Sequence, residues 1–582
     1  MKFKRMKKFF VAFVLFFLMD NLAHVCAQQQ PLYTFVTGSS YAYLLDTATT
    51  STSTYFARWN IGSTGYSAHF QKDTIYQSSS SKEDEGAKEA GSYSKVKKWA
   101  CTSKTTATCV WTYTSSNMHH DLCPLPNGNV LIIVQESKTA TQIQAAGGTY
   151  SSSANFECIK EIHPTGATTG TVVWEWHLFD HLCQDNNNTK PNYTSSYAQK
   201  PERFSVDLVT GSDFFHMNGI DYNPTLDQIV FSSHYKNEIY VIDHSTTTAQ
   251  AATSSGGNAG KGGDFLYRWG RPQNYGCTSN GNGITLNVIH DARWVPSTNA
   301  LYPDYISVFH NGGCSSGHAI VLHQPPHNGY NYNYTVGQVI GPATCVTPTT
   351  ASFSVQNMGG AQALDNGNVL IQAPGSRFYE CSGTGTTYQN VSVSSTQADR
   401  LKLCEVRYPT ATATVSNADI CANTSINLGS TATSIMETSP THTYSWTSNI
   451  GGFSSSSQNP TVTPETAGNY TYTVTVTNNV GCTASASVNV TVNACTDIEE
   501  SQNIKPELNV YPNPTSGAIE LNEEFTSNNN FEIIVCNSFG EIIIREKNIK
   551  TIDLSHYANG IYYLTVKTGN ADIITRKIVL IK

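Results

Sequence analysis

At 582 residues the chain exceeds one ordinary domain, and about two to four are expected. A formal charge of −8, with no Lys/Arg-rich tract beyond the N-terminus, argues against nucleic acid as a partner. Only 13% of residues are charged, while Ser, Thr, Asn and Gly abound, as in an extracellular β-rich protein with polar turns.

The first element is an export signal. Lys2, Lys4, Arg5, Lys7 and Lys8 form a basic leader, Phe9 to Met19 an apolar run, and Val25-Cys26-Ala27 a small-residue cleavage site before Gln28. The run is too short to cross a bilayer, so no membrane span is expected in the mature chain. A lipidated Cys26 is the alternative, which His24 and Val25 fit poorly. Of 15 cysteines, all but Cys26 remain after cleavage. An even number in an exported chain points to disulfides, with Cys101/Cys109 and Cys421/Cys482 as the expected staples.

Residues 28–407 are dense in short apolar strands set between Asn-Gly, Pro and Gly turns. Strand signals fall at Val130–Val134, Thr171–Trp176, Gln228–Ser232, Glu238–Asp243, Ile306–His310 and Asn368–Ile371. No helical periodicity competes. Four units set a polar ring or amide just ahead of a strand: His119-His120-Asp121, His216-Met217-Asn218, His290-Asp291 and Gln362. Rotational repetition of such a unit gathers equivalent side chains around one axis, which predicts a β-propeller of about six blades. Ser78–Ser94 and Gly256–Gly263 are expected as inserted loops.

Beyond residue 407 His becomes rare and Thr, Ser, Val and Asn dominate. Thr441 to Trp446 and Asn469 to Val476 alternate with the period of half-buried strands, predicting a β-sandwich over 410–493 around Trp446. It resembles the PKD or immunoglobulin-like modules of exported bacterial proteins. A linker is expected over 494–506. Residues 507–582 carry L-N-V-Y-P-N-P-T-S-G from Leu508, N-G-I-Y-Y-L-T-V from Asn559 and R-K-I-V-L-I-K from Arg576. These resemble the type A sorting domain of the type IX secretion system, a small β-sandwich. The resemblance implies the type IX machinery as a partner, and secretion or surface display in a Gram-negative bacterium.

Six elements in series carry a second resemblance. They are H-H-D-L-C-P-L-P-N-G-N from His119, V-V-W-E-W-H-L-F-D-H from Val172, D-F-F-H-M-N-G-I-D-Y-N-P from Asp213, D-Q-I-V-F-S-S-H-Y-K-N-E-I-Y-V-I-D-H from Asp227, G-G-D-F-L-Y-R-W-G from Gly262 and H-D-A-R-W-V-P from His290. Residues 115–405 thereby resemble the arylsulfotransferases, cofactor-free enzymes on a six-bladed propeller. The resemblance implies transfer of a sulfuryl group from a phenolic sulfate to a phenol through a histidine, with no nucleotide donor and no cofactor. By motif position His216 and His290 match two family active-site histidines, and His119, His120, His181 and His234 are candidate neighbours. Asn218 and Asp291 are expected to orient rings or cap strands.

The family's sulfate-gripping arginine has no counterpart in Phe309 to His318, so Arg293 or Arg377 is the candidate grip. The last unit offers Gln362 where a histidine would stand. Each histidine also has a plain structural role available, as a side chain bonded to a turn. His163, His323 and His327 are expected to be solvated, and Trp174, Trp176, Trp269 and Trp294 to be blade core. No nucleotide-phosphate loop, G-x-S-x-G elbow or H-E-x-x-H helix is present, and no metal site is expected. The rival to an enzyme is a non-catalytic surface propeller that binds a ligand or glycan.

Overall fold

A computed structural model of the chain describes residues 31–38, 40–46, 52–79, 92–277, 286–311, 320–347, 358–373, 377–384, 387–392, 397–495, 508–522, 530–568 and 573–582. The export signal lies outside these residues, as do most of the Ser78–Ser94 insertion and the stretch 312–319. The fold is nearly all β and packs as two compact units, 1–494 and 495–582.

Antiparallel meanders of three or four strands follow one another between residues 31 and 402. The expected strands form here, among them Val130–Lys138, Thr169–His177, Gln228–Ser233, Glu238–Asp243, Ile306–His310 and Val369–Ala373. Their Val, Ile and aromatic content suits pleated surfaces, and Gln228–Ser233, Glu238–Asp243 and Ile306–His310 are buried on both faces, whereas Val172 and Val173 are exposed. Strand Ala107–Pro124 serves two meanders at once. Residues 107–119 pair with Ser92–Cys101, and residues 118–124 with Val130–Lys138. Strand Ala398–Lys402 returns to pair with Pro31–Thr37, so the two ends of the region share one sheet. That architecture is propeller-like, with the first strand of each meander facing the axis.

Apolar clusters fill the spaces between sheets. Trp176, Phe204, Phe215, Phe231 and Tyr240 form one, and Trp269, Trp294, Ile306 and Tyr332 another. Trp174 is buried with the first of these. The few helices are short; Ala140–Ala145 and Thr248–Ala251 each begin with a Thr/Gln capping box, which satisfies their first N–H groups.

Residues 410–493 form small sheets, the largest built from Asp419–Cys421, Thr483–Asn493, Gly468–Asn478, His442–Ser448 and Ser454–Ser455. Trp446 is at their centre, fully buried against Tyr472 and Val474. The expected staples are corrected: Cys482 bonds Cys404 instead of Cys421. Cys421 and Cys495 are each disulfide-bonded, and Cys101 and Cys109 are both free thiols. In the second unit two sheets enclose Leu508, Ile519, Ile533, Leu564 and Ile578. Asn513 and Thr515 of the first tail motif bond the backbone of Lys577 and Val579 in the last strand, which explains why the separated motifs belong together.

Candidate active site: a histidine cluster at one end of the axis

The first strand of each meander carries the polar groups that tie neighbouring sheets together. Asp121 accepts the backbone N–H of Ile220 (3.2 Å), Asp221 that of Trp294 (2.8 Å) and Asp291 that of Ala361 (3.0 Å). Each carboxylate thus reaches the next sheet with one oxygen and bonds its own strand with the other, Asp121 accepting Leu122 N–H, Asp221 accepting Tyr222 N–H and Asp291 accepting Arg293 Nε–H. Gly219 lies close against the neighbouring sheet: a Cβ there would sit 2.8 Å from the backbone nitrogens of Asp291 and Ala292.

A shared irregularity aims the histidines. The pairing slips between Met118 and Leu122, between Met217 and Gly219, and between His290 and Arg293. Next to these slips His120, His216 and Asp291 adopt φ of 54°, 56° and 54°, left-handed values that cost a non-glycine residue about 1–3 kcal/mol. A bulge breaks the two-residue alternation, so consecutive side chains can serve one site.

There the imidazoles converge. His119 Nε2 contacts Glu157 Oε2 at 2.9 Å, and its Nδ1 meets His120 Nδ1 at 2.9 Å. His120 Nε2 meets His216 Nε2 at 3.2 Å, and His216 Nδ1 bonds Asp213. The His234 ring lies between those of His216 and His290, with centroids 5.4 and 5.2 Å away. Its Nδ1 is buried with no hydrogen-bond partner among the described residues. His290 Nδ1 faces Asn311 Oδ1 at 2.8 Å, while Asn311 Nδ2 donates to Met358 O. That fixes the amide, so His290 carries its proton on Nδ1 and leaves the Nε2 lone pair to the site, where Met358 N–H approaches at 3.2 Å. A pocket of about 20 Å³, room for roughly one water, is bordered by Tyr66, His120, Asn218, His290, Met358 and Gln397. Tyr66 packs on His120, and half-exposed Tyr235 packs on both His216 and His234.

Burial, together with neighbouring imidazoles, holds several rings neutral. His120 is lowered well below 6.5, chiefly by burial and then by His119 and His216. Burial lowers His234 to about 4 and His290 to about 3. No Lys or Arg borders the small pocket among the described residues.

Other expected site residues lie elsewhere or are otherwise engaged. His181 is fully buried, its two nitrogens bonded to Asp264 Oδ1 (2.8 Å) and Ala251 O (2.7 Å), and it stacks on Trp176. Asn218 borders the pocket, yet its amide is spent on Ile289 O and Ser232 Oγ. Asp291 is likewise spent, on Ala361 N–H and Arg293. Arg293 lies inside the axis, bridging Asp291 (2.7 Å) and Asp399 (2.5 Å). His69 completes this buried network between Asp121 and Asp399. The two carboxylates raise its pKa to about 10 against burial, the largest influence, which lowers it. The network separates the histidines from a second cavity of about 840 Å³, which Arg293 borders. Arg377 is exposed and bonds Asn390. Gln362 holds Arg400 through its backbone N–H and O. His323, expected in solvent, is buried in strand Ile320–His323 and stacks on Trp269 at 4.1 Å. Buried Trp294 fits its expected role in the core.

The sequence reading passed over Glu157, Asp213, Tyr66, Tyr235 and Asn311. Asp213 and Tyr235 had a signal, being three residues before His216 and one after His234. Glu157 had none. A separate group, Glu136, Cys158 and His177, brings three donor atoms within 4.8 Å, but Lys138 already pairs with Glu136, and Lys160 pairs with the nearby Glu175.

Propeller-like sheets around a cluster of convergent histidines, followed by further β-domains, define the class. The chain belongs to the arylsulfotransferase family, whose pattern matches residues 102–414, and residues 509–582 match the secretion-system C-terminal sorting domain. It is therefore an arylsulfotransferase-like protein destined for secretion or the cell surface. Among the described residues no helix is long and apolar enough to cross a membrane. No curated protein matches the chain. Among solved structures it is similar to a putative 6-phosphogluconolactonase from Bacteroides fragilis (10% identity, 64% of this chain, 98% of that one, TM-score 0.32). It is also similar to the extracellular domain of a putative hybrid two-component system from B. thetaiotaomicron (9% identity, 88% of this chain, 55% of that one, TM-score 0.25). The PKD1 domain of Vibrio anguillarum Epp shares 22% identity over 15% of this chain and 98% of that one, with a TM-score of 0.13. Likenesses this weak carry no functional argument.

Proposed function

We propose that the chain transfers a sulfuryl group from a phenolic sulfate to a phenol, with His290 as nucleophile, on meanders read as six blades over residues 28–407. The observation that carries this reading is the state of His290: neutral, held in one tautomer by Asn311, with its Nε2 lone pair bordering the pocket. In the first half-reaction Nε2 gives up its contact with Met358 N–H and attacks sulfur. The N–S bond forms, the S–O bond to the aryl group breaks, and the departing aryl oxygen takes a proton. In the second half a phenol oxygen attacks the same sulfur, the N–S bond breaks, and the phenol proton returns to the protein. His234 stands where its ring N–H can hold a sulfuryl oxygen. Because the pocket is small, the aryl ring stays at the mouth against Tyr66 and Tyr235, and the sulfuryl group reaches His290 as Nε2 releases Met358 N–H. The domains at 410–493 and 507–582 serve display and export.

The test is incubation of the mature protein with p-nitrophenyl sulfate and a phenol, without nucleotide or metal. Turnover and a sulfo adduct on intact-protein mass spectra are expected, both lost in His290→Asn. His234→Asn should retain the adduct and slow turnover by at least about 10²-fold. An adduct that persists in His290→Asn refutes the nucleophile assignment. Failure of several aryl sulfates to turn over favours the non-catalytic, ligand-binding protein.

A further inference from the structure

Glu157, His119, His120, His216 and Asp213 form one chain of four contacts. The first three are 2.9, 2.9 and 3.2 Å long, and Asp213 closes the far end. The chain is a carboxylate, three imidazoles and a carboxylate. Each contact holds one proton if it is a hydrogen bond, and none if two lone pairs face each other. Three neutral imidazoles bring one proton apiece, and ionised carboxylates bring none. Four contacts therefore require one proton more than the neutral rings provide. Without it, two lone pairs would oppose each other at a contact between largely buried rings. Both ends are anchored to keep this arrangement: Glu157 Oε1 accepts Met217 N–H at 3.0 Å, and Asp213 Oδ1 accepts from Gln135 Nε2 at 3.3 Å.

We infer that this five-residue chain stores one exchangeable proton beside the pocket, with Glu157 and Asp213 as positioning residues that oblige it to do so. As a store serving catalysis it rests on the sulfuryl-transfer reading. The first half-reaction draws the proton onto the departing aryl oxygen, and the second half returns one from the acceptor phenol, so the chain ends each cycle as it began. His120, which borders the pocket, is the ring through which the proton passes.

The geometry supplies isosteric tests. In Glu157→Gln the amide oxygen keeps Met217 N–H and the NH₂ turns to His119, donating where the carboxylate accepted. Three neutral rings and one amide N–H then fill all four contacts, and no extra proton is required. Asp213→Asn does the same from the other end, its oxygen held by Gln135. The probe is ¹⁵N-histidine NMR of the mature protein at pH 8, counting rings with both nitrogens protonated. Signals from rings outside the chain are retained by all variants; these include His69 and His244, each between two carboxylates and raised to about 10 and about 9, and His181, whose two nitrogens face Asp264 Oδ1 and Ala251 O. The expected result is one further doubly protonated ring in the wild type that disappears in both variants. Its absence from the wild type, or its persistence in Glu157→Gln, overturns the proposal. In turnover assays both variants should lose rate in proportion to the basicity of the departing phenoxide, little for nitrophenol and about 10²-fold for unsubstituted phenol. A uniform loss across leaving groups means a merely structural role and also overturns it. If no aryl sulfate turns over while the NMR signals behave as expected, the stored proton stands and the transferase reading falls.

Discussion

Burying a neutral histidine links folding to pH, and His290 permits a worked case. Its ring is 5% exposed and its pKa falls to about 3, against about 6.5 in an unfolded chain, because burial disfavours the cation. The unfolded state thus binds more protons between these values, so the stability His290 contributes is complete above pH 6.5 and is lost as pH falls toward 3. From pH 7 to pH 4.5 the loss for this one group is about 2.5 kcal/mol. Other groups titrate as well. His234 adds in the same direction, while His69, raised to about 10, contributes stability that is full below pH 6.5 and lost above it. The contribution of His290 is isolated by comparing wild type with His290→Asn, which cannot titrate. In urea denaturation followed by tryptophan fluorescence, the pH 7-to-4.5 stability change should be smaller in the variant by about 2.5 kcal/mol. Seven of the eight tryptophans precede residue 407 and report on that region. Parallel pH profiles for the two proteins would refute the neutral buried ring, and with it the basis for His290 as nucleophile.

Arg293→Ala should destabilise by about 3–5 kcal/mol, because Asp291 and Asp399 would lose the guanidinium between them, whereas Arg377→Ala should stay within about 0.5 kcal/mol; urea denaturation of both decides. Gly219→Ala should raise the soluble protein's sensitivity to proteolysis sharply, since its Cβ has only 2.8 Å to the backbone of the neighbouring strand; wild-type resistance would show that the sheets can part there. Replacing Cys404 and Cys482 together by Ser removes a link across 78 residues, worth about 4 kcal/mol by loop entropy, while the same change at Cys101 and Cys109 should leave the non-reduced mobility of the protein unchanged.

The sequence by itself determined the strands, the order of the β-domains and the export tail, because each is encoded locally. Two-residue alternation marks Gly468–Asn478, Asn-Gly turns mark the hairpins at 127–128 and 366–367, and the tail motifs are contiguous. It also determined that histidines recur ahead of strands, and a rotational repeat leaves them little choice but to gather at one end. The structure accordingly brings His119, His120, His216, His234 and His290 together. Only the tertiary structure decided what each polar group does there. Regular alternation would put positions 290 and 293 on opposite faces, but the bulge between them draws Arg293 into the axis, against Asp399, 106 residues along the chain. His181 resembled its fellows in sequence, yet a different loop route leaves it between Asp264 and Ala251. Gln362 stands at the equivalent place and is spent on Arg400. The chain from Glu157 to Asp213 joins His120 and His216, which lie 96 residues apart on different sheets. Such pairings depend on the rotation between neighbouring sheets and on bulges that shift one strand by a residue. Neither leaves a periodic trace in the sequence, so proton positions and ion pairs at the axis could be settled only once the sheets were placed side by side.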